Sequence, residues 1–335
     1  MKRILSFLLA LALSLSLCAC AAPGEKADDG KLQIVTTLFP YYDFARAIAQ
    51  DRADVTLLLS PGREAHSFEP TPLDAVTISE ADVFLYNGGE GEYWVESMLD
   101  AAGEHIAVAS RMMDYVDALN EEYVEGMQGA DGHDHDHEHG SHDDHDHDHE
   151  EDEHDSDEIE YDEHIWTSPK NAVVLCRAVC DAICRADAEN AAFYRANCEN
   201  YCAQLEDLDA RFAALCESAP RRLLIFADRF PMLYFCREFG LDYRAAFHGC
   251  SGDTEPSLAT IKYLIDKVED EDIPVVYTID FGTKKVAAVV SECTGAAVDT
   301  LYSMQTVSRA DFDAGETYLT LMERNFEALR KGLNE

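Results

Sequence analysis

The chain has 335 residues, with 66 Asp and Glu against 26 Lys and Arg and a formal net charge of −40. That acidity argues against nucleic acid as a partner and favours a cationic ligand. The length suits two domains of ordinary size, and beyond the first twenty residues no stretch reaches the roughly 18 unbroken apolar residues of a spanning helix.

Residues 1–19 have the three parts of an export signal: basic Lys2 and Arg3, an apolar run from Ile4 to Leu17, then small residues before a cysteine. Leu17-Cys18-Ala19-Cys20 resembles a bacterial lipoprotein cleavage box, which implies Cys20 as the lipidated N-terminus; Leu15-Ser16-Leu17-Cys18 fits less well, and a plain secretory peptide is the competing reading. A diacylated cysteine supplies the two-chain anchoring that one acyl chain cannot. Residues 20–31 lack periodicity and read as a tether.

From residue 32 to 168 short β-rich runs alternate with amphipathic stretches: LQIVTT, FPYYDFARAIAQ, DVTLLL, a helix from about Thr71, VFLYN, EYWVESMLDAA and HIAVA. This rhythm predicts parallel crossovers in an α/β lobe. Within it, residues 129–160 form a tract of another kind. Between Asp131 and Glu163 nine histidines (His133, His135, His137, His139, His142, His145, His147, His149 and His154) are threaded through eighteen Asp and Glu residues. Imidazole is the commonest protein ligand for zinc, copper and nickel, and adjacent carboxylates add Coulomb attraction for a divalent cation. The tract therefore reads as a disordered metal-collecting loop, its alternative being a solvated acidic linker.

Residues 169–219 read as a helical linker. Ser168-Pro169 opens one helix that runs to about Arg185, and a second spans about Ala188 to Ser218 without Gly or Pro. The second, of roughly 31 residues and about 46 Å, is long enough to join two lobes rigidly, so that they rock rather than close on a flexible hinge. Cys176, Cys180 and Cys184, and likewise Cys198 and Cys202, recur at four-residue steps and line helical faces. They suit small hydrophobes in a helix interface, with a thiolate metal site as the alternative; nine cysteines after Cys20 is odd for a fully disulfide-bonded exported protein, and a Cys236–Cys250 disulfide stays open. Residues 220–335 repeat the strand and helix alternation, giving a second α/β lobe. The predicted fold is thus two mostly parallel sheets flanked by helices and joined by a long rigid helix.

In open parallel sheets, ligands bind outside the carboxyl ends of the strands. His66 follows DVTLLL, His248 follows LDYRAAF, Asp280 ends PVVYTI, and His164 stands just before the Ser168-Pro169 helix start. These four are the candidate metal ligands. Each has a plainer reading: a loop histidine is more often exposed or bonded locally, and an aspartate after a strand often caps the next helix. His105 opens a predicted strand and reads as structural.

Gly62-Arg63-Glu64-Ala65-His66-Ser67-Phe68-Glu69-Pro70-Thr71-Pro72 resembles the first metal motif of the zinc and manganese solute-binding lipoproteins that feed ABC importers, and Asp162-Glu163-His164-Ile165-Trp166-Thr167-Ser168-Pro169 is similar to their second. Glu255-Pro256-Ser257 and the tract Tyr277 to Asp280 also match in order and spacing. In that family a His- and acid-rich loop between the first two ligands typically marks a zinc carrier. The resemblance implies a third ligand, His or Glu, five residues before Tyr234, where this chain has Arg229. An arginine cannot ligate a cation. His248 is the preferred substitute, with Asp228, a water or a chloride as others, while Asp280 is a ligand or the support of a histidine.

The resulting expectation is an extracytoplasmic, lipid-anchored monomer that binds Zn²⁺ as cargo, with Mn²⁺ second, and delivers it to an ABC permease in the membrane. The rivals are a zinc hydrolase and a surface adhesin. No HExxH, GxSxG or phosphate-loop motif is present, so neither enzyme chemistry nor an ATP site is expected.

Overall fold

The computed structural model describes residues 30–63, 68–103, 106–128, 160–249, 251 and 255–334. The export signal, Cys20, nearly all of the tether, His66, His105, Cys250 and residues 129–159 of the histidine tract lie outside the described residues.

The N-terminal lobe runs β1 (Leu32–Thr36), α1 (Phe39–Ala49), β2 (Ala53–Leu57), α2 (Pro72–Ser79), β3 (Val83–Tyr86), α3 (Val95–Ala102) and β4 (Val108–Arg111). Its four strands lie in the order β2-β1-β3-β4, all parallel. Two helices follow, α4 (Pro169–Ala186) and α5 (Ala191–Ser218). The C-terminal lobe then runs β5 (Leu223–Phe230), α6 (Leu233–Phe239), β6 (Asp242–His248), α7 (Leu258–Asp270), β7 (Val275–Ile279), α8 (Lys285–Thr294), β8 (Ala297–Leu301), α9 (Arg309–Ala314) and α10 (Tyr318–Asn334). Its sheet has the order β6-β5-β7-β8, again parallel. The expected α/β architecture is therefore present twice, with one topology.

Local sequence explains the helix starts. The Thr71 hydroxyl accepts from the Asp74 N–H at 3.3 Å while the Asp74 carboxylate accepts from the Thr71 N–H at 2.7 Å, a reciprocal cap completed by Pro72 in the first turn. Ser168 caps α4 in the same manner, its hydroxyl accepting from Asn171 N–H at 3.0 Å. The break between α4 and α5 is a side-chain device. Asp187 accepts from the Asn190 amide group at 2.7 Å and the Tyr194 hydroxyl at 2.6 Å, which delays the start of α5 to Ala191.

The 28 residues of α5 span about 42 Å. That helix does more than join two lobes. Asp43, buried in α1, accepts from the Tyr201 hydroxyl of α5 at 2.6 Å and from the Tyr318 N–H of α10 at 2.9 Å. Farther along α5, Phe212 packs edge-on against Phe235 of α6 and Phe326 of α10. One continuous apolar core consequently holds Ile34 and Phe44 together with Tyr243 and Tyr277. The segment that precedes the histidine tract also crosses over: Gln128 N–H donates to Ala246 C=O in β6 at 2.9 Å, and Leu119 N–H to the Tyr234 hydroxyl at 2.9 Å.

In each sheet the strand order reverses direction between its second and third positions, so the crossovers leave on opposite faces and open a crevice at the carboxyl ends. In the N-terminal lobe this switch point lies between β1 and β3. In the C-terminal lobe it lies between β5 and β7. Both crevices are occupied by the residues described next.

Candidate metal centre

His164 is the best-defined member of the centre. Asp162 Oδ1 accepts from the His164 backbone N–H at 2.8 Å and lies 3.1 Å from its ring Nδ1. Donation from Nδ1–H to that carboxylate selects the tautomer whose lone pair is on Nε2, the form a metal requires. The ring is 1% exposed and stands edge-on to Trp166 with centroids 5.6 Å apart. Gly249 closes the other side, for a Cβ there would come within 3.1 Å of His164 Cε1 and Nδ1 and 2.9 Å of the Phe230 carbonyl oxygen. Burial disfavours the imidazolium, yet Asp162, Glu121 and Glu163 outweigh it and raise the His164 pKa above the ordinary value. Protons therefore compete with a cation here.

The C-terminal crevice is lined by His164, Arg229, Gly249, Asp280, Ser303 and Gln305 among others. Asp280 immediately follows β7, and its Oδ1 accepts from Ser303 N–H at 3.2 Å. His164 and Asp280, expected to converge, do share one cleft. Arg229 shares it too, and brings a guanidinium, which cannot ligate a cation, into the cleft.

The N-terminal crevice is lined by Thr37, Phe68, Asn87, Glu92, Trp94 and Glu163, and Gln305 is common to both crevices. Its two carboxylates are buried. Glu163 accepts from Gly91 N–H at 2.8 Å, and desolvation holds its pKa above the usual range. Glu92 accepts from Gly88 N–H at 2.8 Å, and burial pushes it up to about 7. The described residues on either side of positions 64–67 are held in place. Gly62, in the left-handed region at φ +84°, donates its N–H to Val307 C=O at 2.8 Å, and Phe68 packs on Trp94 with centroids 5.5 Å apart. A residue other than glycine at position 62 would be strained there.

His248 is placed differently from the expectation. It is not among the residues lining the cleft; its Nδ1 lies 3.5 Å from Glu121 Oε2 and its ring 5.1 Å from that of Tyr123. The strand register supplies the reason. Phe230 pairs with His248 and Arg229 with Phe247, and paired residues on neighbouring strands point to the same face. His248 thus shares the face of Phe230, opposite to Arg229. The Glu121 carboxylate raises the His248 pKa against the effect of burial. Asp228, the other residue considered for that role, accepts from Arg229 N–H at 2.9 Å and Ile279 N–H at 3.4 Å and packs against Gly282. Glu255, a possible oxygen ligand, is largely exposed and lies 3.7 Å from Lys285 Nζ.

Sequence reasoning missed Asp162, Glu92 and Glu163 as members of the centre. Asp162 carried a signal, being two residues before His164 on the same turn; Glu92 did not, because its burial depends on the β3–α3 connection folding under the crevice. Among the described residues, three potential ligand atoms lie within 4.8 Å of one another in one place only, at Cys176, Cys198 and Cys202.

Comparison with known proteins fits this geometry. The profile of the family described as zinc-uptake complex component A, periplasmic, matches residues 34–332. A curated relative, the high-affinity zinc uptake system protein ZnuA of Bacillus subtilis, is 30% identical over 306 residues, covering 90% of this chain and 88% of the relative. The crystal structure of the metal-dependent lipoprotein YcdH from Bacillus subtilis superposes with a TM-score of 0.72 at 28% identity, covering 90% of this chain and 100% of that one. The Zn(II)-bound ZnuA-like domain of Streptococcus pneumoniae AdcA gives 0.70 at 26% identity, with coverage of 91% and 100%. On a match that spans both sheets, both crevices and the linking helices, the chain belongs to the periplasmic component A family of zinc-uptake complexes.

Proposed function

We propose that this protein captures Zn²⁺ outside the cytoplasm, in the cleft lined by His164 and Asp280, and delivers it to an ABC permease while tethered to the membrane through a lipidated Cys20. His66, His164 and Asp280 are the proposed ligands, and His248 is left to Glu121. The observation that carries the reading is the buried imidazole of His164, held by Asp162 in the metal-binding tautomer at the mouth of a parallel sheet. Two imidazoles and a carboxylate suit zinc, which binds nitrogen and oxygen at about 2.0 to 2.2 Å in few-coordinate sites. A Mn²⁺ site would call for more oxygen donors, and the exposed Glu255 does not supply one.

Capture of a scarce ion calls for nanomolar affinity, about −12 kcal/mol. The tract at residues 129–159 supplies many weaker donors. Gln128 and Glu160, the described residues that flank it, belong to the segment bonded to β6 and Tyr234. The raised pKa of His164 sets the direction of the pH effect: affinity falls as the pH drops and the imidazole takes up a proton.

The test is a competitive zinc titration of the His66→Ala and His164→Ala variants, each with and without residues 129–159. Loss of the single tight equivalent in both variants, and its retention when the tract alone is removed, is the expected pattern. Tight binding that disappears with the tract would place the cargo elsewhere and overturn the reading. Unfolding on zinc removal, rather than a reversible loss of the ion, would indicate a structural metal.

A further inference from the structure

The helical linker holds a second set of metal-binding side chains, remote from the imidazole cleft. On α4, Cys176, Cys180 and Cys184 fall on one face at four-residue intervals; Cys198 and Cys202 do the same on α5, and the two helices pack with these faces together. The sulfurs of Cys176, Cys198 and Cys202 all lie within 4.8 Å of one another. Cys198 and Cys202 are 3.8 Å apart at Sγ, and Cys180 and Cys184 are 4.0 Å apart. Cys180 is also in contact with Cys198.

The Cys198–Cys202 separation is the one a thiolate centre needs, and the Cys176 sulfur lies within 4.8 Å of both. Sulfurs at about 2.3 Å from a common ion stand about 3.8 Å apart in a tetrahedral arrangement and about 4.0 Å apart in a trigonal one. The thiols also donate weakly across the helix interface. Cys198 Sγ lies 3.8 Å from Cys176 C=O and Cys202 Sγ 3.9 Å from Val173 C=O, contacts that are long even for sulfur. Access is provided by a surface depression that reaches Cys180, Cys198 and Cys202, with Arg177, Arg195, Asp181, Glu199 and Glu206 around it.

We propose that Cys176, Cys198 and Cys202 form a second metal site, a three-sulfur centre for a thiophilic closed-shell cation of the Cu(I) class. Binding is ligand exchange without redox change: three S–H groups give their protons to solvent, three metal–sulfur bonds form, and the copper enters and remains as Cu(I). One Cu(I) with three thiolates carries a net charge of −2; the depression above it holds two arginines and three carboxylates, with Arg177 paired to Glu206 at 2.8 Å. Soft sulfur donors select such ions over the harder cargo of the cleft. The site is independent of the ligand assignment in the cleft.

The test uses the reduced full chain in detergent, kept anaerobic, loaded with one equivalent of zinc and then titrated with chelator-buffered Cu(I). One Cu(I) per chain is expected, with thiolate-to-copper charge-transfer absorption and an X-ray absorption first shell of sulfur alone at about 2.3 Å. Cys198→Ala and Cys202→Ala are each expected to weaken Cu(I) by roughly 100-fold while zinc at the cleft is retained, which also reports that the variants fold; Cys293→Ala is the control without effect. A nitrogen-containing shell, or charge-transfer absorption that survives both substitutions, would overturn the proposal. So would peptide mapping that finds these cysteines joined in a disulfide in protein purified without reductant. The first-shell measurement on the unaltered chain stands whether or not a variant folds.

Discussion

Replacement of Glu92 by glutamine should make the protein more stable, and only above a defined pH. Glu92 is 8% exposed, and burial is the main cause that lifts its carboxyl from 4.5 to about 7, with Glu163 adding to the rise and hydrogen bonds from Thr37 and Gly88 opposing it. Between these two values the folded chain retains a proton that the unfolded chain has released. A folded-state pKa above the unfolded one gives a contribution that is fully present below the unfolded pKa and lost as pH rises through the folded value. The difference of 2.5, from 7 minus 4.5, corresponds to about 3 kcal/mol at about 1.4 kcal/mol per pH unit. Glutamine is neutral throughout and can still accept from Gly88 N–H. The assay is urea denaturation of the zinc-free wild type and Glu92→Gln across pH about 4 to about 8. The stability difference should be constant at the acid end and then grow by about 3 kcal/mol in favour of the variant. Groups unaffected by the substitution cancel in that comparison. A difference that does not change with pH would refute the reasoning, because it would mean that Glu92 ionises in the folded protein as it does in the unfolded one.

Two further outcomes follow from the cleft. Asp162→Asn keeps an oxygen for the His164 N–H groups but removes the charge that stabilises the metal-binding imidazole, so zinc affinity should fall by about 10- to 100-fold, less than for His164→Ala, as read by competition with a chelator. Arg229→His replaces a fixed cation with an imidazole facing the same cleft, and should raise zinc affinity by roughly tenfold or more, about 1.4 kcal/mol; an unchanged value would show that Arg229 lies outside the reach of the bound ion.

Much of the fold was legible because parallel strands buried on both faces leave continuous apolar runs. β7, VVYTI, is buried at every position and was read directly from the sequence. Helix starts were legible for a similar local reason, since Ser168-Pro169 and Thr71-Pro72 carry their own caps. The shared core was not. Nothing near Asp43 in sequence indicates that it will bond to Tyr201 and Tyr318, because such partners are set by how three distant helices meet.

The centre divided along the same line. His164 and Asp280 could be placed from strand ends and motif, whereas His248 was assigned from imidazole chemistry without knowledge of the register that turns it toward Glu121. A one-residue offset between adjacent strands is invisible in a single sequence, and it decides which face a side chain takes. Glu92 and Glu163 became members only once the loop after β3 was folded beneath them.

The environment of Trp166 has a practical consequence. Its indole is fully buried, donates from Nε1 to Ser303 C=O at 2.7 Å and meets the His164 ring edge-on, while Trp94, the second of the chain's two tryptophans, lines the neighbouring crevice with Glu92 and Glu163. Every intrinsic indole fluorophore therefore stands beside one of the two crevices, and emission from the unlabelled protein, followed on rapid mixing with zinc or with a chelator, would time cargo loading and unloading without a dye.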